Sequence, residues 1–443
     1  MLSSKRVKRT PELPPEILLE IFEFCTFLQD AASIAPLDPF VPRRVSNNAL
    51  GPNTPTSVAR AKCTLVLVCH AWRRIALQLV YQHIVIRSPS RADKIYHTLH
   101  STSYPSSLCP PIRLSEYGRY VRHIEVYTYG RGSTHISYLQ RLFQIFAYCP
   151  NLRLLTGYWT VPLPKEFLDG VAKLYGDKLK GISWTENWEY MSHSIKGTER
   201  LKFVSSFQNL HVLDLCHFTW EMVPEEASSL RIPLPQVQEI VISGHNSSLY
   251  AASSFYMPCL QRLNVKFCTA STSLNTKAVT TFLEVHGNTL ESVHMNTSST
   301  HSPFEQQLLT PSGMTGPDIF LHPDLCPNLS TLTFPATVPK FSTPDDETQV
   351  HYGITRVGIT SVKTDWLYPD KPSNLRDHLR HFTGFKHLYP NVQTIRTIDY
   401  LADVEGDTLI KDIFIWWAEK FEKYGVDFQD GEGVVWAYTD SEE

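Results

Sequence analysis

Two histidine pairs, His97/His100 and His378/His381, stand three residues apart, a spacing that sets both imidazoles on one face of a helix. A zinc site needs further ligands of suitable type, and neither pair has one at ligand spacing. Cys63, Cys69 and His70 combine thiol and imidazole, the ingredients of a covalent nucleophile. They fall on an apolar helical stretch, where cysteine behaves as a small hydrophobe. Asp345-Asp346-Glu347 reads as a solvated loop. The sequence contains no G-x-G-x-x-G, P-loop, H-E-x-x-H or G-x-S-x-G pattern. The expectation is a chain with no catalytic site, metal or cofactor.

The composition points to binding instead. Of 443 residues, 42% are hydrophobic, a normal globular share, while charged residues are only 19%. Thirty prolines exceed the usual share of about 5%, which suggests many short elements with stiff joints. A net charge of −3 provides no field for phosphate backbones or anionic lipid, so neither nucleic acid nor membrane is an expected partner. The apolar stretch from Ile17 carries Glu16, Glu20 and Glu23, unlike a signal peptide, and no run reaches the roughly 20 residues that span a bilayer. Nine scattered cysteines without a C-x-x-C pair fit reduced thiols, so the expected location is cytosolic or nuclear. Residues 1–11, with Lys5, Arg6, Lys8 and Arg9, read as a disordered basic tail or a nuclear-import address.

Helical signals begin at Glu12-Leu13-Pro14-Pro15-Glu16, where proline and an early acid both suit a first turn. Ile17, Leu18, Ile21, Phe22, Cys25 and Leu28 then recur at three- and four-residue steps. Residues 30–57 hold five prolines and read as an inserted loop. Periodicity resumes from Val58 through Leu65, Val68, Cys69, Trp72, Ile75 and Leu79, and Ile84-Val85-Ile86 reads as a strand. Three short helices bury little surface, and this segment has more apolar side chains than such a bundle can hide. The excess implies a partner surface.

These residues resemble an F-box. Leu13-Pro14-Pro15-Glu16-Ile17-Leu18 looks like its opening, and Leu67-Val68-Cys69-His70-Ala71-Trp72 looks like its later "leucine-x-valine-cysteine-x-x-tryptophan" element. The likeness spans residues 12–87 and is closest to the fungal type. It implies docking to the Skp-family adaptor of a cullin-RING (SCF-type) ubiquitin ligase. By position, Leu13, Pro14, Ile17, Leu18, Ile21 and Phe22 would face the adaptor. Val68, Cys69 and Trp72 would complete that face or hold the three helices together.

Residues 88–443 carry a recurring apolar-x-x-apolar-x-apolar triplet. Its copies start at Val121, Leu152, Leu179, Leu210, Val237, Leu260, Leu290, Leu329, Ile354 and Val392. The weakest has Gly157 in its third place, and the last ends in Thr397. Proline stands two residues ahead of five copies, and Pro-Asn ahead of those at 152, 329 and 392. Proline ends the preceding element and asparagine tolerates the turn. Strand, connector and short helix every 25–35 residues resemble an irregular leucine-rich-repeat-like α/β solenoid, each unit burying its triplet against its neighbours. A non-repetitive α/β domain is the alternative. Ile410, Ile413, Phe414, Trp417 and Phe421 line one face of a closing helix that would cap the array.

The expected architecture is therefore α+β: a three-helix F-box and a repeat body. In such repeats the strand positions flanking the apolar residues face the binding surface, which selects Asp214, Glu239, Arg262, Asn264, Lys266 and His294 as candidate contacts for a protein substrate. The expected role is substrate receptor. An adaptor-bound scaffold outside a ligase and an enzyme with a site no motif reveals are the alternatives.

Overall fold

The computed structural model describes residues 13–27, 34, 38–41, 55–104, 114–127, 134–159, 163–186, 197–217, 231–243, 246–267, 276–297, 316–344, 349–402 and 408–437. The basic tail, Asp345-Asp346-Glu347 and most of the 30–57 loop lie outside these residues. Two compact units divide the chain: residues 1–32, 46–125 and 130–152 form one, and residues 33–45, 126–129 and 153–443 the other.

In the first unit, α1 (Pro15–Cys25) starts with proline where the helix leaves its N–H groups unpaired. It stops at Thr26, whose hydroxyl donates to the Phe22 carbonyl at 2.7 Å. The periodic stretch from Val58 to Leu79 is two helices, α2 (Pro55–Val68) and α3 (His70–Tyr81). Cys69 separates them. It adopts extended backbone, and its sulfur accepts the Trp72 N–H at 3.4 Å, an N-cap made by a thiol. The core of the bundle is Phe22, Ala76 and Leu79, with Leu18, Leu19, Leu65, Val66, Trp72 and Ile75 packed around it. Strand β1 (His83–Ile86) follows, then α4 (Pro89–Ser101), capped by Ser88.

The second unit is α/β with a large parallel sheet. Its strands are β2 (Leu154–Trp159), β3 (Gly181–Glu186), β4 (Val212–His217), β5 (Glu239–Ser243) and β6 (Arg262–Phe267). They continue as β7 (Ser292–Thr297), β8 (Thr331–Pro335), β9 (Arg356–Thr360), β10 (Thr394–Thr397) and β11 (Asp427–Gln429). Each pairs in parallel with the next in sequence. Parallel neighbours need a crossover, and helices such as α5 (Lys165–Tyr175), α6 (Thr276–His286) and α7 (Asn374–Gly384) lie in these connections.

Register explains the triplets. Leu155, Ile182, Leu213, Ile240, Leu263, Val293, Leu332, Val357 and Ile395 form one continuous row, and every member is 2% exposed or less. A residue two positions later points the same way, which accounts for the third apolar place. At Gly157 a Cβ would meet the Trp159 indole at 2.3 Å. Trp159, two residues on and buried, fills the room a third apolar side chain takes elsewhere.

The closing helix, α8 (Thr408–Glu422), buries the stripe read from sequence, and the Trp417 indole donates to the Leu367 carbonyl at 2.7 Å. It does not end the array, however: β11 follows it and pairs with β10.

Candidate functional site

The N-terminal bundle divides its apolar residues between a core and an exposed set. Leu13 is 52% exposed, Phe24 84% and Leu67 80%, and Ile17, Ile21, Phe27 and Val68 are also exposed. Pro14 and Cys69 are exposed, while Leu18 is half-buried against the core. Phe22 corrects the sequence reading. It is 2% exposed, with its ring 4.8 Å from that of Trp72, so it holds the bundle together and faces no partner. The helical period puts Phe22 beside Leu18 and away from Ile17 and Ile21, a split the three- and four-residue steps alone did not resolve. Trp72 is half-buried in the same contact.

Strand positions between the inward-facing rows make the opposite, polar face of the body. Asp214, Asn264 and His294 share one register row through Val241. Glu239 and Arg262 are register partners one row before it, and Lys266 lies one row after. All six sequence candidates therefore belong to one face of β4–β7. Lys266 Nζ reaches Asp214 Oδ2 at 3.0 Å, and the same carboxylate accepts from Ser183 and from the Cys216 N–H. Burial pulls the Lys266 pKa down, but the Asp214 carboxylate, aided by Cys216 and Tyr158, outweighs it and leaves the value raised. Burial raises the Glu239 pKa, opposed by Arg262. Asn296 donates to the Asn264 amide oxygen at 3.1 Å. His294 bonds Ser292 through Nε2 at 2.9 Å, and burial, with Arg262, pushes its pKa down to about 4.

The same rows continue to a group that sequence reasoning missed. Arg356 is in the row of Glu239 and Arg262, and Arg396 in the row of Asn264 and His294. Asp38 and Phe40 pack on these two arginines. Asp38 Oδ2 accepts from Arg356 Nη1 at 2.9 Å, and the Phe40 carbonyl accepts from Arg396 Nη1. The Phe40 ring is buried, with guanidinium carbons 4.8 Å (Arg356) and 5.3 Å (Arg396) from its centroid. Thr331 accepts from Arg356, and Gln429 from Arg396. Burial raises the Asp38 pKa, but the Phe40 N–H and Arg356 outweigh it and leave the carboxyl below its usual range. Arg356 and Arg396 hold the same triplet-flanking positions as Arg262 and Asn264, so the rule that chose those would have found them. Only the turn-forming Asp-Pro pair signals the segment they grip.

His378 and His381 sit in an aromatic cluster with Phe334, Phe341, Phe382 and Tyr389. His378 Nε2 bonds the Val338 carbonyl, and His381 Nε2 the Tyr389 hydroxyl. His100 bonds the Tyr148 hydroxyl at 2.7 Å. Among the described residues no three His, Cys, Asp or Glu side chains group to hold a metal, and no helix is long and apolar enough to cross a membrane.

No protein-family model and no curated protein matches the chain. Among solved structures, a crystal structure of a Bacteroides fragilis protein aligns over 73% of this chain and 69% of its own. The identity is 11% and the TM-score 0.35, a likeness that names no family.

Proposed function

We propose that the chain is a substrate-recognition subunit of an SCF-type ubiquitin ligase, with an F-box bundle at its N-terminus and a leucine-rich-repeat-like solenoid as its body. The observation that carries this reading is the set of exposed apolar side chains Leu13, Ile17, Ile21, Phe24, Leu67 and Val68, on the residues that resemble an F-box. Such exposed apolar side chains cost free energy in water unless a partner covers them. In this reading the partner is the Skp-family adaptor, and through it a cullin.

The solenoid reading rests on strand order. Each strand from β2 to β10 pairs with its successor and buries the same two triplet positions. The polar face, with Asp214, Glu239, Arg262, Asn264, Lys266 and His294, would hold a target protein close to the ubiquitin-conjugating enzyme. Rate enhancement then comes from raised effective concentration, with no acid, base or nucleophile from this chain.

Affinity purification of the chain followed by mass spectrometry tests the proposal. Adaptor and cullin should co-purify, and Leu13→Ala/Pro14→Ala should lose both while the body stays folded. Recovery of neither from the wild type, or full recovery with the double variant, would reject it. Adaptor without cullin would indicate a scaffold outside a ligase.

A further inference from the structure

The polar face of the body already grips a short peptide, and that peptide is its own chain. Asp38–Val41 lies in the sequence between α1 and α2, yet it belongs with residues 153–443. The Val41 N–H donates to the Asp38 carbonyl at 3.1 Å, closing a turn with proline second, and the Phe40 N–H donates to Asp38 Oδ1 at 2.9 Å. This turn projects a carboxylate, an aromatic ring and a carbonyl, and each meets an arginine.

We propose that the Arg356/Arg396 pocket is a recognition site for a turn-forming peptide with an acidic residue two positions before an aromatic one. Asp38-Pro39-Phe40 occupies it as an internal stand-in that an incoming target segment displaces. This deepens the proposed reading of the polar face as the target-binding surface, and rests on it.

Three observations carry the proposal. First, the pocket is selective in chemistry. Paired guanidinium groups suit a carboxylate and an aromatic face together, where an aliphatic side chain would satisfy neither. Second, the stand-in leaves hydrogen-bonding capacity unused. His294 Nδ1 and Thr333 Oγ1 are buried without a partner among the described residues, and they are register partners on β7 and β8. Thr333 is one row on from Thr331, which anchors Arg356, and the field of Asp38 reaches His294. A longer peptide that also bonds these two atoms makes contacts the internal segment does not. Third, an occupant that is part of the same chain competes intramolecularly, at an effective concentration that can reach roughly millimolar. A weak target is therefore kept out, while one that uses the extra atoms gets in.

The test measures binding of a fluorescent peptide of this chain's own sequence from Pro36 to Pro42 to the full chain, by anisotropy. The peptide should bind Asp38→Ala/Phe40→Ala at least tenfold more tightly than wild type. Adding Arg356→Ala and Arg396→Ala should remove that binding. Equal affinity for wild type and Asp38→Ala/Phe40→Ala, or binding to neither, would overturn the proposal. A second measurement avoids any question of folding: 4-fluorophenylalanine placed at position 40 reports its surroundings by fluorine NMR. Peptide supplied well above that roughly millimolar effective concentration should move the signal to its solvent-exposed position, and a signal unmoved there would equally overturn the proposal. Neither readout involves the adaptor, so failure of adaptor capture leaves both results standing.

Discussion

The side-chain amide of Asn328 donates to the main-chain carbonyl of Asn288 at 2.7 Å, forty residues earlier in the chain. The relationship recurs: Asn151 bonds the Arg119 carbonyl, Asn209 that of Asp177 and Asn391 that of Tyr352, at 2.7 to 2.9 Å. Each asparagine directly precedes the first apolar residue of a triplet. It ties its own turn to the turn before it and satisfies a carbonyl that no strand reaches.

Asn328→Ala should therefore cost about 1 kcal/mol, the usual net worth of one hydrogen bond, and Asn391→Ala a similar amount. The urea midpoint of the full chain measures it. A loss within a few tenths of a kcal/mol would mean that water replaces the amide without penalty.

Phe22 and Ile21 are neighbours with opposite roles. Phe22→Ala removes a buried ring from a three-helix core and should destabilise the bundle by about 3–5 kcal/mol. Ile21→Ala, at an exposed position, should leave stability within about 0.5 kcal/mol. Under the proposed function it is nevertheless Ile21→Ala that weakens adaptor capture without unfolding anything. Thermal melting by circular dichroism, set beside a pull-down, separates the two. Equal melting losses would refute the assignment of Phe22 to the core.

The spacing of apolar residues made the body legible. The second and third places of the triplets from Val121 to Val392 fall on strands, because a parallel strand buried on one face repeats its demand every second residue. Apart from the His97/His100 spacing, the helix Pro89–Ser101 was not legible, although it begins Ser-Pro with the Ser88 hydroxyl accepting the Arg91 N–H as a cap. Its exposed face is polar, and its only fully buried residues, Ala92 and Leu99, are too sparse to set a period. Strand β11 escaped notice because three residues with a single inward-facing Phe428 make no triplet. The grip on Phe40 was illegible for another reason: it joins residues more than 300 positions apart, and no local pattern encodes such a pairing.

Buried histidines give the body an acid limit. Burial pushes the pKa of His286 and of His378 down to about 4, from an ordinary 6.5. His381 is lowered to about 4 by the same cause. A depressed value means that the unfolded chain takes up more protons between those two points, so stability present above pH 6.5 is lost as pH falls towards 4. For a fully buried imidazole such as His378 the loss is at most about 3 kcal/mol. Urea midpoints should hardly change from pH 8 to 7 and fall steeply from pH 6 to 4. His378→Phe, whose ring suits the aromatic cluster around Phe334 and Phe341, should flatten part of that fall. An unchanged acid limb in His378→Phe would show that this imidazole takes up no proton on unfolding.

The Asp214–Lys266 pair separates recognition from stability on the polar face. Its lysine is partly exposed, so the pair should contribute no more than about 1 kcal/mol, and added salt should weaken it. Asp214→Asn with Lys266→Met should then change the urea midpoint little, since the two neutral side chains keep much of the packing and Ser183 still has an amide oxygen to bond. The pattern of charge presented by β4 and β6 would nonetheless be gone. Charge complementarity chiefly sets which partner is accepted and how fast it arrives. Under the proposed function, the double variant should accordingly keep adaptor and cullin in an affinity purification and lose the proteins captured by the body. If the captured set were unchanged and the fold intact, this part of the face would play no role in recognition, and target binding would have to lie elsewhere on the body.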